Sequence, residues 1–173
     1  MLFLIIDLLL IAISLYICKK NDFTIPQKRY SYISLTIPFI IAAMVYLSFF
    51  SVYIALLTLI GIILSLYYYI NKATEFLNSF MFKKAFHLLG LFIVMNLFGG
   101  FLINLVRFNM IESQNLALIL FLVGVTVFMY ARYGFVALTS VIAEHKGLSK
   151  YLGFFGILGV IGVIIVCIMK SKK

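Results

Sequence analysis

The sequence predicts an all-α, polytopic transmembrane helical bundle of about six spans, and three observations lead to this fold class. Hydrophobic residues make up 65% of the 173-residue chain and charged residues only 11%, whereas soluble domains are about a quarter charged. The mean hydropathy is +1.21. Several apolar runs reach the about 20 residues that a helix needs to cross a bilayer. Because these runs fill almost all of residues 1–173, we expect a single membrane domain and no soluble domain.

Polar or charged residues divide the chain into six apolar runs. The predicted spans are residues 2–18, 32–48, 52–70, 85–106, 116–143 and 151–169. No small-x-small cleavage site follows the first run, so we interpret it as an uncleaved helix. Residues 31–70 carry no formal charge, and as one helix they would be about 60 Å long, twice the hydrocarbon thickness. They are therefore divided by a turn near Ser48–Ser51, with Pro38 in the first turns of the second span.

An amphipathic helix is predicted over residues 73–84, between the third and fourth spans. Its apolar residues share one helical face: Phe76, Leu77, Phe80 and Met81. Lysines bracket the segment. It is either a helix lying in the membrane interface, with its phenylalanines in the bilayer, or an ordinary loop helix.

The fourth predicted span carries amide and small side chains. Asn96, Gly100 and Asn104 are spaced i, i+4 and i+8, so they share one face of a helix. Such a seam typically faces another helix, where amides find partners and small residues such as Gly99 and Gly100 permit close packing. The alternative is a polar lining for a solute path.

The fifth predicted span contains one charged residue, Arg132. At 1.5 Å per residue it lies about 24 Å from the start of the span. Tyr130 and Tyr133 flank it as an aromatic belt would, so we interpret Arg132 as an interfacial, snorkelling residue. The alternative is a functional charge that faces the bundle interior and pairs with Asp7, the one acid inside a predicted span.

The turn over residues 144–150 predicts that the fifth and sixth spans are antiparallel neighbours. Gly147 suits the left-handed position after a helix, and Ser149 suits an N-cap.

Glycine recurs at every third position of the sixth predicted span, as Gly153, Gly156, Gly159 and Gly162. On an α-helix each such step turns back by about 60°, so the glycines would wind round the helix and form a groove for a closely packed neighbour. That neighbour is either the fifth span or another copy of the chain.

The formal net charge is +9, and the positive side chains lie mostly in short gaps between apolar runs. This distribution is typical of topology control and not of nucleic-acid binding. With six spans, nine positive residues fall on one side and four, including three tail lysines, on the other. The positive-inside rule then predicts both termini outside a bacterial cytoplasmic membrane, with Cys18 and Cys167 on opposite faces.

The sequence contains no catalytic, cofactor-binding or metal-binding motif, and its five acids are too scattered for a carboxylate pair. We therefore predict a non-enzymatic protein without cofactor or metal. The first hypothesis is a helix-packing subunit, in the lipid bilayer, of a homo-oligomer or of a complex with other membrane subunits. The alternative is a small transporter or channel lined by Asp7, Asn96, Asn104 and Arg132. A membrane-acting defence or immunity factor is a third hypothesis.

Overall fold

The computed structural model describes residues 25–49, 51–78, 85–108 and 110–171, and for residues 25–35 the backbone alone. Helices account for 88% of it, and the described residues contain no strand, which confirms the all-α prediction. The helices are α1 (Ile25–Ser48), α2 (Val52–Asn71), α3 (Ala73–Asn78), α4 (Ala85–Arg107), α5 (Gln114–His145), a 3₁₀ helix (Lys150–Leu158) and α6 (Val160–Ile168). The first predicted span, residues 2–18, lies outside the described residues.

Three helices within the described ranges are long and apolar enough to cross a membrane, namely α2, α4 and α5. The chain is therefore an integral membrane protein. The apolar part of α1, Thr36–Ser48, is shorter than a full span. Helix α1 already begins at Ile25, so Pro38 lies inside it and not in its first turns as expected. Pro38 is fully buried, and packing of its ring offsets the backbone hydrogen bond that proline cannot donate.

Helix α5 lies at the centre of the bundle, where α1, α2, α4 and the C-terminal segment all pack against it. The α4–α5 pair is antiparallel, as two contacts show. Phe92, early in α4, contacts Gly134, late in α5, whereas Gly99 contacts Gly124, which is nearer the start of α5.

Helices α1 and α2 also run in opposite directions to each other. Tyr46, near the end of α1, packs on Phe121, near the start of α5, with ring centroids 6.2 Å apart. Lys150, just after α5, donates a 2.7 Å hydrogen bond to Asn71 Oδ1 at the end of α2. One end of the bundle therefore holds the N-termini of α1 and α4 and the C-termini of α2 and α5. We name it the Lys146 end.

Aromatic rings fill the core between α2, α3 and α5. Tyr69 and Tyr133 are 0% and 1% exposed and stack with centroids 4.3 Å apart. The Tyr133 hydroxyl lies 2.6 Å from Ser65 Oγ, which satisfies both buried hydroxyls. Phe76 of α3 meets the Tyr69 ring at 5.0 Å and the Tyr130 ring at 5.5 Å. The core thus ties α3 to the two neighbouring helices.

Two predictions for this region need correction. Helix α3 buries Phe76 and Leu77 inside the bundle, so these two side chains do not lie in the bilayer as an interfacial helix would place them. Residues 79–84 of the predicted helix lie outside the described residues. Tyr133 is a core residue and not part of an interfacial belt, because Ser65 supplies the hydrogen bond that its buried hydroxyl needs.

The turn after α5 is a Schellman motif, in which two backbone N–H groups bond back to the last turn of the helix. The Leu148 N–H donates to the Ala143 carbonyl at 2.9 Å and the Gly147 N–H to the Glu144 carbonyl at 3.0 Å. Gly147 has φ 71°, which confirms its predicted left-handed conformation. Ser149 is the N-cap residue of the 3₁₀ helix, without a side-chain cap bond.

The C-terminal segment is a re-entrant hairpin, and the prediction of a sixth span over residues 151–169 is wrong. The 3₁₀ helix runs back along α5, Gly159 turns the chain with φ 68° and ψ −133°, and α6 returns. The nine residues of the 3₁₀ helix rise about 18 Å, and the nine of α6 rise about 14 Å. Neither can cross a hydrocarbon core of about 30 Å.

The C-terminal residues consequently lie at the Lys146 end. Ser171 Oγ donates a 3.0 Å hydrogen bond to the Lys146 carbonyl. For Lys170 the prediction of a position on the opposite side from Lys146 is therefore wrong, because it assumed a complete crossing by the last helix; Lys172 and Lys173 lie outside the described residues. Cys167 is an exposed free cysteine, and Cys18 lies outside the described residues.

Candidate functional site

The 3₁₀ helix docks on α5 through its line of glycines. A Cβ built on Gly156 would lie 2.5 Å from Val136 Cα, which leaves no room for a side chain. Contacts recur every three residues on the 3₁₀ helix and every four on α5: Gly153 with Ser140, Gly156 with Val136, and Gly159 with Arg132. Three residues of a 3₁₀ helix rise about 6 Å, and four residues of an α-helix also rise about 6 Å. The two helices therefore stay in register, and the neighbour left open by the sequence is α5 of the same chain.

The remaining glycines differ in what they contact. A Cβ on Gly162 would overlap the Phe155 carbonyl oxygen, so α6 packs closely on the 3₁₀ helix. A Cβ on Gly99 would lie 2.7 Å from the Gly124 carbonyl oxygen, where α4 crosses α5. Gly100 was predicted to pack in the same way, but a Cβ there would have no atom within 4 Å. The close contact at Gly124 could not be predicted from the sequence, because a single glycine among large apolar residues forms no spacing pattern.

Arg132 lies at the tip of the re-entrant hairpin. Its Nη1 donates a 2.9 Å hydrogen bond to the Ile157 carbonyl oxygen, and its guanidinium lies 4.8 Å from the Phe128 ring centroid. By helix rise it is about 20 Å from His145, the last residue of α5. Arg132 is thus a cap for the 3₁₀ helix, and its snorkelling at the membrane interface stays a prediction.

Lys146 fastens the other end of the hairpin. Its Nζ donates to the carbonyl oxygens of Met169 at 2.8 Å, of Val166 at 3.3 Å, and of Cys167. The last carbonyls of an α-helix have no partner within the helix, and a cation at this position also interacts favourably with the helix dipole. The hairpin is therefore held by one basic side chain at its tip and another at its base.

The predicted polar lining does not form a connected path in the part of the chain that the structure describes. Arg132 is bonded to the hairpin backbone, and Asn104 is exposed. Asn96 is half-buried, and its Oδ1 has no hydrogen-bond partner among the described residues. Asp7 lies outside those residues, so its pairing with Arg132 stays a prediction.

Helix α4 buries one face against α5 and presents another outward. The outward line has alternating steps of three and four residues: Val94, Leu97, Phe101, Asn104 and Phe108, all of them exposed. This is the spacing of membrane helices that pack side by side in left-handed pairs. Asn104 is the one polar member of the line. The sequence had grouped Asn104 with Asn96 on one face, but only Asn104 belongs to this exposed line.

A polar cleft of about 190 Å³ opens at the Lys146 end. Its polar side chains come from two distant parts of the sequence, residues 71–75 and 144–150: Asn71, Lys72, Thr74, Glu75, Glu144 and Lys150. Lys72 Nζ lies 3.2 Å from Glu75 Oε1, and Lys150 bonds to Asn71. The Glu144 carboxylate has no ion pair within the described ranges. Two lysines and two glutamates make the cleft formally neutral. Sequence reasoning missed it because folding alone brings these residues together.

An apolar groove of about 290 Å³ lies between α1 and α2. Its walls include Ile37, Ile41 and Met44 of α1 and Gly61, Leu64 and Tyr68 of α2. Gly61 gives the groove its depth, since a Cβ there would meet only Met44 Sδ, at 3.9 Å. Lys72 of the cleft follows Tyr68 by one helical turn, and its N–H bonds to the Tyr68 carbonyl at 2.9 Å. Groove and cleft therefore follow the same side of α2.

Within the described ranges, no three His, Cys, Asp or Glu side chains converge to hold a metal ion. No protein-family model, no curated protein and no solved structure matches the chain. What the protein does must therefore be inferred from its own surfaces.

Proposed function

We propose that the chain is a non-enzymatic membrane subunit that associates with a second copy of itself through the outward face of α4. The observation that carries this proposal is the exposed amide of Asn104, in line with apolar side chains at heptad spacing. An amide holds both donor and acceptor atoms, so two Asn104 side chains related by a two-fold axis can bond to each other. An unpaired amide in apolar surroundings costs free energy, which favours that pairing. A different membrane subunit could use this face, but it would have to supply a matching polar group.

Apolar packing must supply most of the affinity. Interhelical hydrogen bonds in membranes contribute about 0.6 kcal/mol on average, which corresponds to about a threefold change in dimer affinity. Val94, Leu97 and Phe101 provide the apolar surface on the same line. We therefore expect Asn104→Leu to weaken self-association about threefold while leaving the fold intact.

Cysteine cross-linking tests this contact. In a background with Cys18 and Cys167 replaced by serine, Leu97→Cys and Asn104→Cys should form disulfide-linked dimers in native membranes. The matched control is Leu57→Cys, which is similarly exposed but lies on α2 and not on the outward face of α4. Equal cross-linking of all three variants, or none of any, would refute self-association through this face.

The described basic residues also support an orientation. The Lys146 end holds Lys28, Arg29, Lys72, Lys146, Lys150 and Lys170, whereas Arg107 lies at the other end. The positive-inside rule favours a cytoplasmic Lys146 end. The C-terminus would then face the cytoplasm, in place of the external position expected from six spans. A bacterial cytoplasmic membrane is the proposed location.

A small transporter or channel is the second candidate function, and the re-entrant hairpin favours it. Non-helical backbone at membrane depth is tolerated where it is buried in protein or lines a cavity, and broken helices form the binding sites of many transporters. Gly159 interrupts the helical backbone in this way, beside Arg132. Proteoliposomes that contain only this chain should then conduct ions or small polar solutes, and Arg132→Met should alter that flux. Absence of flux would remove this candidate.

A further inference from the structure

Two concave surfaces lie one helical turn apart on α2 and differ in their chemistry. The groove beside Gly61 and Tyr68 is almost wholly apolar. The cleft that begins at Asn71 and Lys72 is polar and charged. From Gly61 to Lys72 the helix rises about 16 Å. A ligand that spans both must therefore be elongated, apolar along most of its length and polar at one end.

The charges of the cleft indicate the polar end of that ligand. Lys150 uses one of its three N–H donors on Asn71, so it has donors left for a phosphate oxygen. Glu144, which also lines the cleft, has no ion pair in the described ranges and can accept from an ammonium group. A neutral cleft with separated charges of both signs suits a zwitterion, whereas an anionic headgroup would leave one negative charge uncompensated.

Aromatic side chains mark the same level of the molecule as an interface between water and hydrocarbon. Tyr67 and Tyr151 are about half exposed, and their rings stack with centroids 6.3 Å apart. Lys150 Nζ lies 5.6 Å from the Tyr151 ring centroid. Exposed tyrosines gather at the headgroup level of membranes, so the cleft opens where lipid headgroups lie.

We propose that the cleft and the groove together bind one zwitterionic aminophospholipid. Its phosphate lies near Lys150 and Lys72, its primary amine near Glu144 and Glu75, and one acyl chain follows the groove past Gly61. Acyl chains already lie in hydrocarbon, so the groove contributes packing and position, and the charged cleft supplies the selectivity. This site is formed by α1, α2, the start of α3, the end of α5 and Lys150. None of its lining residues lies on α4, so it does not depend on self-association.

Native mass spectrometry of the delipidated full-length chain tests the proposal. The probes are phosphatidylethanolamine, phosphatidylglycerol with the same acyl chains, and free phosphoethanolamine. We expect phosphatidylethanolamine to bind at least tenfold more tightly than phosphatidylglycerol. The variant Glu144→Gln with Lys150→Gln should bind it at least tenfold more weakly and lose the preference. Free phosphoethanolamine should not compete at comparable concentrations.

A pair of glycine variants tests the groove. Gly61→Leu places a side chain in the groove and should weaken phosphatidylethanolamine binding at least threefold. The matched control Gly100→Leu introduces the same side chain where a Cβ has no atom within 4 Å, and it should leave binding unchanged. Equal affinity for the two lipids, or full affinity in the double variant, would overturn the headgroup assignment. Competition by phosphoethanolamine would show a site for the soluble headgroup alone, and equal effects of the two glycine variants would overturn the groove.

Discussion

Arg132 of α5 and Ile157 of the 3₁₀ helix are joined by a 2.9 Å hydrogen bond from Nη1 to the carbonyl oxygen. The acceptor is one of the last carbonyls of the 3₁₀ helix, where no later N–H within the helix can reach it. The positive charge also rests against the face of Phe128. A basic side chain within a candidate span thus stabilises the tip of a re-entrant hairpin.

Replacement of Arg132 should destabilise this tip. A hydrogen bond to a charged group contributes about 1.5–3 kcal/mol, so Arg132→Met should lower the free energy of unfolding by about that amount. Arg132→Lys keeps the charge but lacks the planar fork, and its effect should be intermediate. Denaturant unfolding in detergent measures both. Arg107→Met, an exposed change at the end of α4, is the control, and equal stability of Arg107→Met and Arg132→Met would contradict the capping role.

Lys146 holds the base of the hairpin, so its loss should loosen α6 in particular. Capping of helix C-termini by a cation contributes up to about 2 kcal/mol in partly buried geometries. In Lys146→Met, the backbone amides of residues 160–171 should exchange hydrogen up to about 30-fold faster than in the native protein, since 2 kcal/mol corresponds to that factor. Hydrogen exchange followed by mass spectrometry measures this. Lys170→Met removes an exposed lysine of the tail and should leave the exchange unchanged; acceleration in both variants would point to net charge instead of the cap.

The re-entrant hairpin makes a topological prediction that a sixth span does not. In a chain without native cysteines, Lys170→Cys and Thr74→Cys should react with a membrane-impermeant maleimide from the same side of the membrane. Glu112→Cys, in the loop between α4 and α5, should react from the opposite side. All three positions are exposed, so accessibility within the fold does not limit labelling. If Lys170→Cys is labelled from the side of Glu112→Cys, the last segment crosses the membrane and the hairpin is wrong.

The helical class and several of its boundaries could be predicted from the sequence because they depend on local chemistry. Long apolar runs impose helices on a chain in a bilayer. Helix α1 ends at Ser48 and α2 begins at Val52, as the weak polar signal near Ser48–Ser51 predicted. The left-handed turn at Gly147 likewise depends on the residue that stands there.

The hairpin and the cleft could not be predicted, because tertiary contacts create them. Residues 151–169 have the length and apolarity of a span, and their glycine spacing was interpreted with an α-helical period. In the 3₁₀ conformation the glycines at every third position share the face that docks on α5, and the sequence alone does not show that docking. Asn71 and Lys150 meet across 79 residues of sequence, and the buried environment of Tyr133 depends on Ser65 from another helix.

The register between the 3₁₀ helix and α5 predicts opposite effects for the same substitution at different glycines. A Cβ at Gly156 would meet the backbone of Val136, which cannot rotate away. Gly156→Ala should therefore destabilise the protein by about 1–3 kcal/mol, the usual range for overpacking. At Gly100 a Cβ has open space, and removing glycine from a helix interior should stabilise the protein by about 0.5–1 kcal/mol. The free energy of unfolding of each variant, measured in detergent, shows whether Gly156→Ala destabilises and Gly100→Ala stabilises the protein.

A second substitution, in α5, distinguishes glycines that contact an α5 side chain from glycines that contact the α5 backbone. A Cβ at Gly153 would overlap Ser140 Oγ, so Ser140→Ala should recover part of the stability that Gly153→Ala loses. A Cβ at Gly156 would meet the Val136 main chain, so Val136→Ala should recover none of the loss in Gly156→Ala. Double-mutant cycles measure both coupling energies. If Val136→Ala rescues Gly156→Ala as fully as Ser140→Ala rescues Gly153→Ala, side chains and not backbone set the distance between the hairpin and α5. The register of three residues on the 3₁₀ helix against four on α5 would then be incorrect.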